Sequence, residues 1–91
     1  MVNEEFENKY KCPCCGYLTF SKQTDNTFQI CPVCYWEDDG IQLYDTDYDG
    51  GANKVSLNQA RINFKKYGAS EEAFIEYVRM PEDGEIAGAV N

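Results

Sequence analysis

The chain has 91 residues, the size of one domain, and 43% of them are hydrophobic, which is ordinary for a folded protein. Sixteen Asp and Glu against eight Lys and Arg give a formal net charge of −8. Such a protein repels a phosphate backbone at long range and attracts basic proteins. The absence of histidine excludes Ser-His-Asp and Cys-His nucleophiles and the usual ligand sets of catalytic zinc.

The N-terminal segment MVNEEFENKYK is acidic and polar, whereas a secretory signal has a basic start and an apolar stretch. No run of 18 apolar residues marks a transmembrane span. We therefore expect a cytoplasmic protein with a single domain, residues 1–91. In that reducing compartment, paired cysteines hold metal ions more often than they form disulfides.

Residues 10–36 are predicted to form a metal-binding β-hairpin. Segments 18–20 and 27–30 contain mainly β-forming residues, and the turn-like Thr24-Asp25-Asn26 lies between them. Each end of this hairpin meets a cysteine pair, so the hairpin would bring the two pairs together.

The pairs Cys12–Cys15 and Cys31–Cys34 each have C-x2-C spacing, and fifteen residues separate them. This pattern is typical of a four-cysteine zinc site, because two intervening residues form a tight turn that points both sulfurs at one ion. Protein ligands would then fill every coordination position and leave none for a catalytic water. Iron is the alternative metal, because tetrahedral sulfur suits both ions and CPCCGY is similar to a rubredoxin turn.

The turn residues favour this site. Pro13 and Pro32 follow the first cysteine of each pair and fix φ where the turn begins. Gly16 follows Cys15, where a positive φ lets backbone N–H groups face the sulfurs. Tyr35 holds the equivalent position, where a positive φ costs about 1–2 kcal/mol, so either the second turn differs or the metal offsets the strain.

Cys14 is a fifth thiol, at the x position of C-P-x-C, and is predicted to point away from the metal as a packed or half-exposed side chain. A redox or alternative-ligand role is a second hypothesis, although a neighbouring thiolate cluster would raise its pKa. A glutaredoxin-type site and disulfides are further alternatives. The former needs an apolar strand before the motif, where this chain has NEEFENKYK.

Residues 37–51 are predicted to form an acidic loop, because six of the thirteen residues 37–49 are Asp or Glu. Within it, residues 45–50 read D-x-D-x-D-G, the start of a calcium loop. The twelfth position of that loop is Ser56, where calcium requires a bidentate Glu. We interpret the segment as a solvated loop, with calcium as the alternative.

Helix signals lie in residues 56–80. Ser56 and Gln59 fit a capping box, apolar residues recur at positions 57, 60, 64 and 67, and Gly68 suits a left-handed stop. Ser70 can cap a second short helix that Pro81 ends. The small, acidic tail, residues 82–91, is predicted to fray.

Residues 52–69 contain four basic residues and no acid, which predicts a basic helix face beside the acidic loop. This bipolar surface can dock a partner or contact phosphate. Ile62 points away from the apolar helix face and can anchor an interface beside Trp36, Tyr44 and Tyr48. We interpret those three aromatic residues as core packing over the metal site, with the interface as the alternative. The candidate interaction residues are Trp36, Glu37, Asp38, Asp39, Asp45, Asp47, Asp49, Arg61, Ile62, Lys65 and Lys66.

At CPCCGYLTF, CPVCYWEDD and GGANKVSLNQARINFKKYG, the sequence resembles the cysteine-rich CPCC family of small bacterial proteins, over roughly residues 11–70. The resemblance implies a zinc-ribbon-like centre whose ligands are Cys12, Cys15, Cys31 and Cys34. It implies no enzyme activity. By analogy, small acidic proteins of this kind often look like antitoxin or immunity partners of basic toxins.

We therefore predict a small α+β protein, with a zinc-ribbon-like β-hairpin, a four-cysteine metal site and two short C-terminal helices. The predicted function is a non-catalytic, zinc-binding protein-interaction module, of the immunity or antitoxin type, for a basic partner. One alternative is a nucleic-acid-binding zinc ribbon that uses the helix between Lys54 and Lys66. The other is a thiol-dependent enzyme or rubredoxin-like iron protein.

Overall fold

The fold is described by a computed structural model that covers residues 10–89, with the backbone alone for residues 87–89. The predicted polar start of the chain and the last two residues of the predicted tail lie outside this range. The chain forms strands β1 (Tyr10–Lys11) and β2 (Leu18–Phe20), helices α1 (Gly40–Tyr44) and α2 (Leu57–Tyr67), a 3-10 helix (Glu72–Tyr77) and helix α3 (Asp83–Ala89). The predicted small α+β class, with a hairpin, clustered cysteines and C-terminal helices, is confirmed.

The hairpin uses a different partner strand from the predicted one. Strand β2 pairs antiparallel with β1, with Tyr10 opposite Phe20, and a bulge follows in the register. Residues 27–30 do not pair with β2, and Ile30 instead forms an isolated bridge with Glu37. Each cysteine turn is therefore enclosed by its own short antiparallel pair.

The predicted second strand, residues 27–30, does not form, because the Asp38 side chain binds backbone N–H groups at and just before its start. One carboxylate oxygen of this buried residue accepts hydrogen bonds from the backbone N–H groups of Asp25 and Thr27, both at 2.9 Å. Asn26 and Phe28 adopt φ values of +66° and +60°. A strand needs extended residues and free N–H groups for its ladder, so this segment turns instead.

The predicted acidic loop contains a short helix. Asp39 caps α1, since its side chain accepts hydrogen bonds from the N–H groups of Ile41 and Gln42. Its second carboxylate oxygen accepts from the N–H of Ala52 at 2.8 Å. Two of the acids assigned to a solvated loop, Asp38 and Asp39, are thus buried acceptors that organise the segment.

The side chain of Gln42, a residue of α1, holds residues 48–55 against that helix. Its side chain is fully buried, and the two hydrogens of its amide nitrogen are shared among the carbonyls of Tyr48, Asn53 and Val55, at 3.0–3.2 Å. Its oxygen accepts from the backbone and side-chain nitrogens of Asn53. The Asn53 amide in turn bonds both the N–H and the carbonyl of Glu37, as a neighbouring strand would.

Helix α2 follows the sequence prediction. The Ser56 hydroxyl accepts from the Gln59 N–H, and Gly68 ends the helix with φ +80°. The second half of the capping box is absent from this turn, because the Gln59 side chain bonds Asn63 instead. Leu57 and Ala60 are fully buried, which places the predicted apolar face against the core.

The second predicted helix is a 3-10 helix, and Ser70 does not cap it. Glu71 occupies the N-cap position without a side-chain hydrogen bond, while the buried Ser70 hydroxyl has no partner among residues 10–89. The Ser70 N–H instead donates to the Cys34 carbonyl at 2.7 Å. Position 70 therefore ties the chain to the second cysteine turn.

Helix α3 lies in the segment predicted to fray, and an ion pair fixes it. Arg79 donates two hydrogen bonds of 2.9 Å to the Glu85 carboxylate, which is almost completely buried. The hydrogen bonds from Arg79 hold the pKa of Glu85 below its usual range. The helix packs against β2, so this part of the tail belongs to the folded domain.

The core is thin and centred on the cysteine turns. Its largest fully buried side chains are Trp36, Phe20 and Leu57, and they pack in one cluster with four cysteines. None of the helices between residues 10 and 89 is a candidate membrane span, and the longest of them, α2, has 11 residues.

Candidate metal centre

Four sulfur atoms meet between the two cysteine turns. The Sγ atoms of Cys12, Cys15, Cys31 and Cys34 all lie within 4.8 Å of one another. The distance is 3.5 Å between Cys12 and Cys34, and 3.7 Å between Cys15 and Cys31. Four sulfurs placed tetrahedrally about 2.3 Å from one ion are about 3.8 Å apart, so these two distances are close to those of a tetrahedral metal–thiolate site.

The two turns have the same backbone structure. The Cys12 carbonyl accepts from the N–H of Gly16 at 2.8 Å, and the Cys31 carbonyl accepts from the N–H of Tyr35 at 2.7 Å. In each turn the first sulfur accepts a backbone N–H at 3.4 Å, from Cys14 or from Val33. These N–H groups face the sulfurs and would stabilise negative charge on them when a metal is bound.

Tyr35 adopts the strained conformation with positive φ, one of the two possibilities that the sequence left open. Its φ is +72°, close to the +84° of Gly16 at the equivalent position, so the second turn does not differ in shape. This conformation directs the Tyr35 ring onto the 3-10 helix. The ring centroid lies 4.8 Å from that of Phe74 and 5.4 Å from that of Tyr77, and these aromatic contacts oppose the backbone strain.

Cys14 occupies the same place in the first turn as Val33 in the second. Both side chains are buried, 8% and 2% exposed, and both belong to the core cluster. The Cys14 sulfur is not part of the four-sulfur group. Its burial agrees with the interpretation of Cys14 as a packed side chain. Burial, and then hydrogen bonds with Cys12 and Cys14, raise the pKa of Cys34, so the Cys14 sulfur lies beside the cluster and does not point away from it.

Thr19 is a site residue that the sequence did not reveal. Its buried hydroxyl lies 3.1 Å from the Cys31 sulfur, in reach of a hydrogen bond to a thiolate. The only signal in the sequence was its position in a strand that leaves the first turn. Such a contact orients a metal ligand and stabilises its charged form.

Whether the four clustered thiols keep their protons depends on whether a cation is bound. Burial raises the pKa of the Cys12 and Cys34 thiols. Hydrogen bonds from the neighbouring cysteine thiols, with a further one from Thr19, lower the pKa of Cys31. Several buried thiolates repel one another, so a divalent ion must displace protons from this cluster to bind, and its affinity rises with pH.

The donor set fits a soft, tetrahedral metal ion. All five cysteines are free thiols, which leaves the sulfurs available as ligands. Four thiolates suit zinc or iron, and bound zinc would act here as a structural ion that joins the two turns. The residues that would hold it are Cys12, Cys15, Cys31 and Cys34.

A family model described as cysteine-rich CPCC matches residues 10–85, which include the whole cluster. The chain belongs to this family. A search of curated proteins found no match. Membership in the CPCC family and the four-cysteine cluster, which could hold a metal ion, together fit a metal-binding module.

Three of the predicted interaction residues of this CPCC protein are buried. Trp36 is fully inaccessible and packs in the core, as the core interpretation predicted, so it is not a surface anchor. Tyr44 and Tyr48, interpreted in the same way, are instead 74% and 43% exposed. Asp38 and Asp39 are buried as well, because they bind backbone N–H groups within the domain. These side chains do not form a docking surface in this structure.

The other predicted acids lie at the surface. Glu37 is half-buried, and Asp45, Asp47 and Asp49 are exposed. Asp47 accepts from the Asn58 side chain at 2.8 Å. Among the described residues, the four cysteines are the one group of three or more potential ligand side chains, and the aspartates of residues 45–49 do not form such a group.

The basic face of α2 is exposed as expected. Ile62 is 58% exposed, and Lys65 and Lys66 lie in the last turn of the helix. The guanidinium group of Arg61 donates to the Pro13 carbonyl at 2.8 Å. Arg61 therefore ties α2 to the first cysteine turn as well as carrying surface charge.

Proposed function

We propose that this CPCC protein is a zinc-stabilised, non-catalytic module that binds a basic protein. The observation that carries the proposal is the charge of the surface beside a metal cluster whose four ligands all come from the chain. The formal net charge is −8, and four thiolates on one divalent ion add about two further negative charges. An immunity or antitoxin role is one form that such a partnership would take.

The composition of the metal cluster supports a structural ion. Four cysteine sulfurs satisfy the coordination that zinc prefers, and a catalytic zinc needs an open position for water or substrate. The chain has no histidine to serve as a general base. Burial of Cys14 argues against a nucleophilic thiol at that position.

The distribution of acids supports a basic partner. Eight acidic side chains between residues 10 and 89 are exposed: Asp25, Asp45, Asp47, Asp49, Glu72, Glu76, Glu82 and Asp83. Exposed acids raise the association rate with a positively charged protein and repel nucleic acid. The basic face of α2 is small by comparison, and Arg61 is engaged with Pro13.

The metal is tested by native mass spectrometry with elemental analysis of the purified chain. We expect one zinc ion for each chain and a cysteine alkylation rate that is negligible in the loaded protein. One iron ion instead would favour the rubredoxin-like alternative. Rapid alkylation of Cys14 in the loaded protein would favour a thiol-dependent enzyme.

The partner is tested by capture on the immobilised, metal-loaded chain from cells that encode it, followed by a salt gradient. We expect basic proteins to be retained and then released as the salt rises, because screening weakens exposed charge pairs. Retained proteins that are uniformly acidic would contradict the proposal. Low-salt titration into labelled RNA and DNA tests the nucleic-acid alternative, for which we expect no shift at micromolar protein.

A further inference from the structure

An open groove lies between helix α1 and the turn that precedes the second cysteine pair. Its volume is about 590 Å³, and its lining residues are Asp25, Asn26, Gly40, Ile41, Tyr44 and Asp45. We call this feature the α1 groove. None of these residues takes part in the metal cluster.

The walls of the α1 groove are fixed to each other. The Asn26 side chain accepts from the Gly40 N–H at 2.9 Å, and a Cβ built on Gly40 would lie 3.1 Å from the Asn26 Cβ. Asn26 also holds a φ of +66°, which is strained for most residues other than glycine. The buried Asp38 carboxylate binds the N–H of Asp25. A groove held in this way is formed before any partner arrives, which lowers the cost of binding.

The helix side of the groove presents large apolar side chains to solvent. Ile41 is 61% exposed and Tyr44 is 74% exposed. They are three residues apart and so share one face of α1, while Gln42 between them points into the protein and is fully buried. Single exposed apolar residues are ordinary, but two side by side at a preformed groove are typical of a docking site.

The groove is acidic at its rim. Asp25 and Asp45 line it and are exposed, and Asp47 and Asp49 follow α1 directly. No Lys or Arg is among its lining residues. A ligand that matches this surface carries positive charge around an apolar group.

We infer that the α1 groove docks a short segment of a protein partner in which an apolar side chain is flanked by Lys or Arg. The apolar side chain packs on Ile41 and Tyr44, and the flanking cations lie near Asp25 and Asp45. The inference rests on the proposed function and assigns the binding of a basic partner to this surface. The α1 groove is then the contact region, in place of the buried side chains of Trp36, Asp38 and Asp39.

The test is an NMR titration of the ¹⁵N-labelled, metal-loaded chain with the peptide Lys-Arg-Leu-Leu-Lys-Arg. We expect shift changes centred on residues 25–26 and 40–45. Matched peptides with Glu in place of the four basic residues, or with Gly in place of the two leucines, should bind at least tenfold more weakly. A titration with shift changes centred on α2 or on the cysteine turns would overturn the inference.

Variants locate the contact. Tyr44→Ala should weaken peptide binding at least fivefold, and Asp45→Asn about two- to fivefold at low salt. Ile75→Ser is the matched control, because Ile75 is also an exposed isoleucine but lies on the 3-10 helix, and the affinity of this variant should equal that of the wild type. The emission of the buried Trp36 verifies that each variant is folded.

These experiments distinguish failure of the groove assignment from failure of the proposed function. If captured basic proteins bind the wild type and Tyr44→Ala equally well, the groove is not the contact, and the proposed function stands. If neither the peptide nor any basic protein binds at low salt, the proposed function and the groove assignment both fail. If the Gly-substituted peptide binds as well as the leucine peptide, charge alone drives association and the docking of an apolar side chain is wrong.

Discussion

Tyr35 and Gly16 occupy the same position in the two cysteine turns, with φ values of +72° and +84°. Only glycine adopts this region without a steric cost, so the tyrosine stores strain beside the metal cluster. The tilted contact of its ring with Phe74 and the stacked contact with Tyr77 stabilise the fold in return. Backbone strain and aromatic packing can be separated by substitution.

We expect Tyr35→Gly to be more stable than Tyr35→Ala by about 1 kcal/mol. Both variants lose the ring, so the aromatic contacts cancel, whereas only glycine relieves the positive φ. Urea unfolding of the two metal-loaded variants measures the difference. An alanine variant as stable as the glycine variant would mean that the turn relaxes to a negative φ at no cost.

Cys14 can be tested against its counterpart in the second turn. Val33 fills the same position as an apolar, buried residue, so Cys14→Val should keep the metal stoichiometry and change the metal affinity less than twofold. Competition with a chromogenic chelator measures the affinity. Cys15→Val serves as the positive control, since it removes a ligand. A large loss of affinity in Cys14→Val would show that the fifth thiol takes part in coordination.

Thr19 is predicted to tune the metal site through Cys31. Thr19→Val keeps the shape of the side chain but removes the hydroxyl that lies 3.1 Å from the sulfur, and we expect about tenfold weaker metal binding. Thr19→Ser retains the hydroxyl and should bind nearly as tightly as the wild type. The same chelator competition applies. Equal affinities in Thr19→Val and the wild type would leave Thr19 with a packing role only.

Single residues differed in how well the sequence predicted them. The C-x2-C spacing identified the four clustered cysteines, because a tight turn brings together residues that are three positions apart. Gly68 was equally clear, because few residues adopt its conformation. Thr19 and Trp36 could not be assigned in the same way, since their roles depend on which atoms the fold brings close to them.

Helix α1 and the segment after it form a unit held by the side chain of Gln42. Replacement by leucine removes the two hydrogen bonds that Gln42 accepts from Asn53 and leaves the carbonyls of Tyr48, Asn53 and Val55 without their shared amide donor. We expect Gln42→Leu to lower the free energy of unfolding by about 2–4 kcal/mol, because orphaned buried groups cost about 1–3 kcal/mol each. Urea unfolding of the metal-loaded protein checks the value.

The matched control for this variant is Gln59→Leu. Gln59 is exposed on α2, and its side chain bonds only Asn63 among residues 10–89. Its replacement should change stability by less than about 0.5 kcal/mol. Equal losses in the two variants would show that the Gln42 network contributes nothing beyond helix propensity.

The secondary structure was predictable where a local signal dominates. Helix α2 has a serine cap, an apolar face and a glycine stop, and all three act as expected. The prediction of a strand at residues 27–30 was wrong because Asp38, more than ten residues away, binds the backbone at Asp25 and Thr27. Helix α1 was missed because five residues carry too little periodicity, although Asp39 before it was a usable capping signal.

For the whole molecule, metal removal is expected to unfold the domain. Cys12, Cys31 and Cys34 are core residues, and structural zinc supplies about 10–16 kcal/mol of apparent binding energy, against a typical total stability of about 5–15 kcal/mol. Chelation at pH 7 should shift the emission of Trp36, the one tryptophan, to longer wavelength as water reaches it. Stoichiometric zinc should restore the original spectrum. An unchanged spectrum after elemental analysis has verified metal loss would contradict this dependence.

The overall architecture followed from composition and cysteine spacing, since a chain of this size with two cysteine pairs has few ways to complete a core. The position of α3 did not follow. The helix packs against β2 and is tied by the Arg79–Glu85 pair, whose members are six residues apart and share no local pattern that predicts the contact.

The four ligands differ in their access to solvent. Cys12, Cys31 and Cys34 are buried, whereas Cys15 is only partly covered. Any reagent that approaches from water, whether an oxidant, an electrophile or a competing chelator, meets the Cys15 sulfur first. Loss and exchange of the ion would therefore begin at one corner of the tetrahedron, and the lifetime of the bound state would depend on how well that corner is shielded.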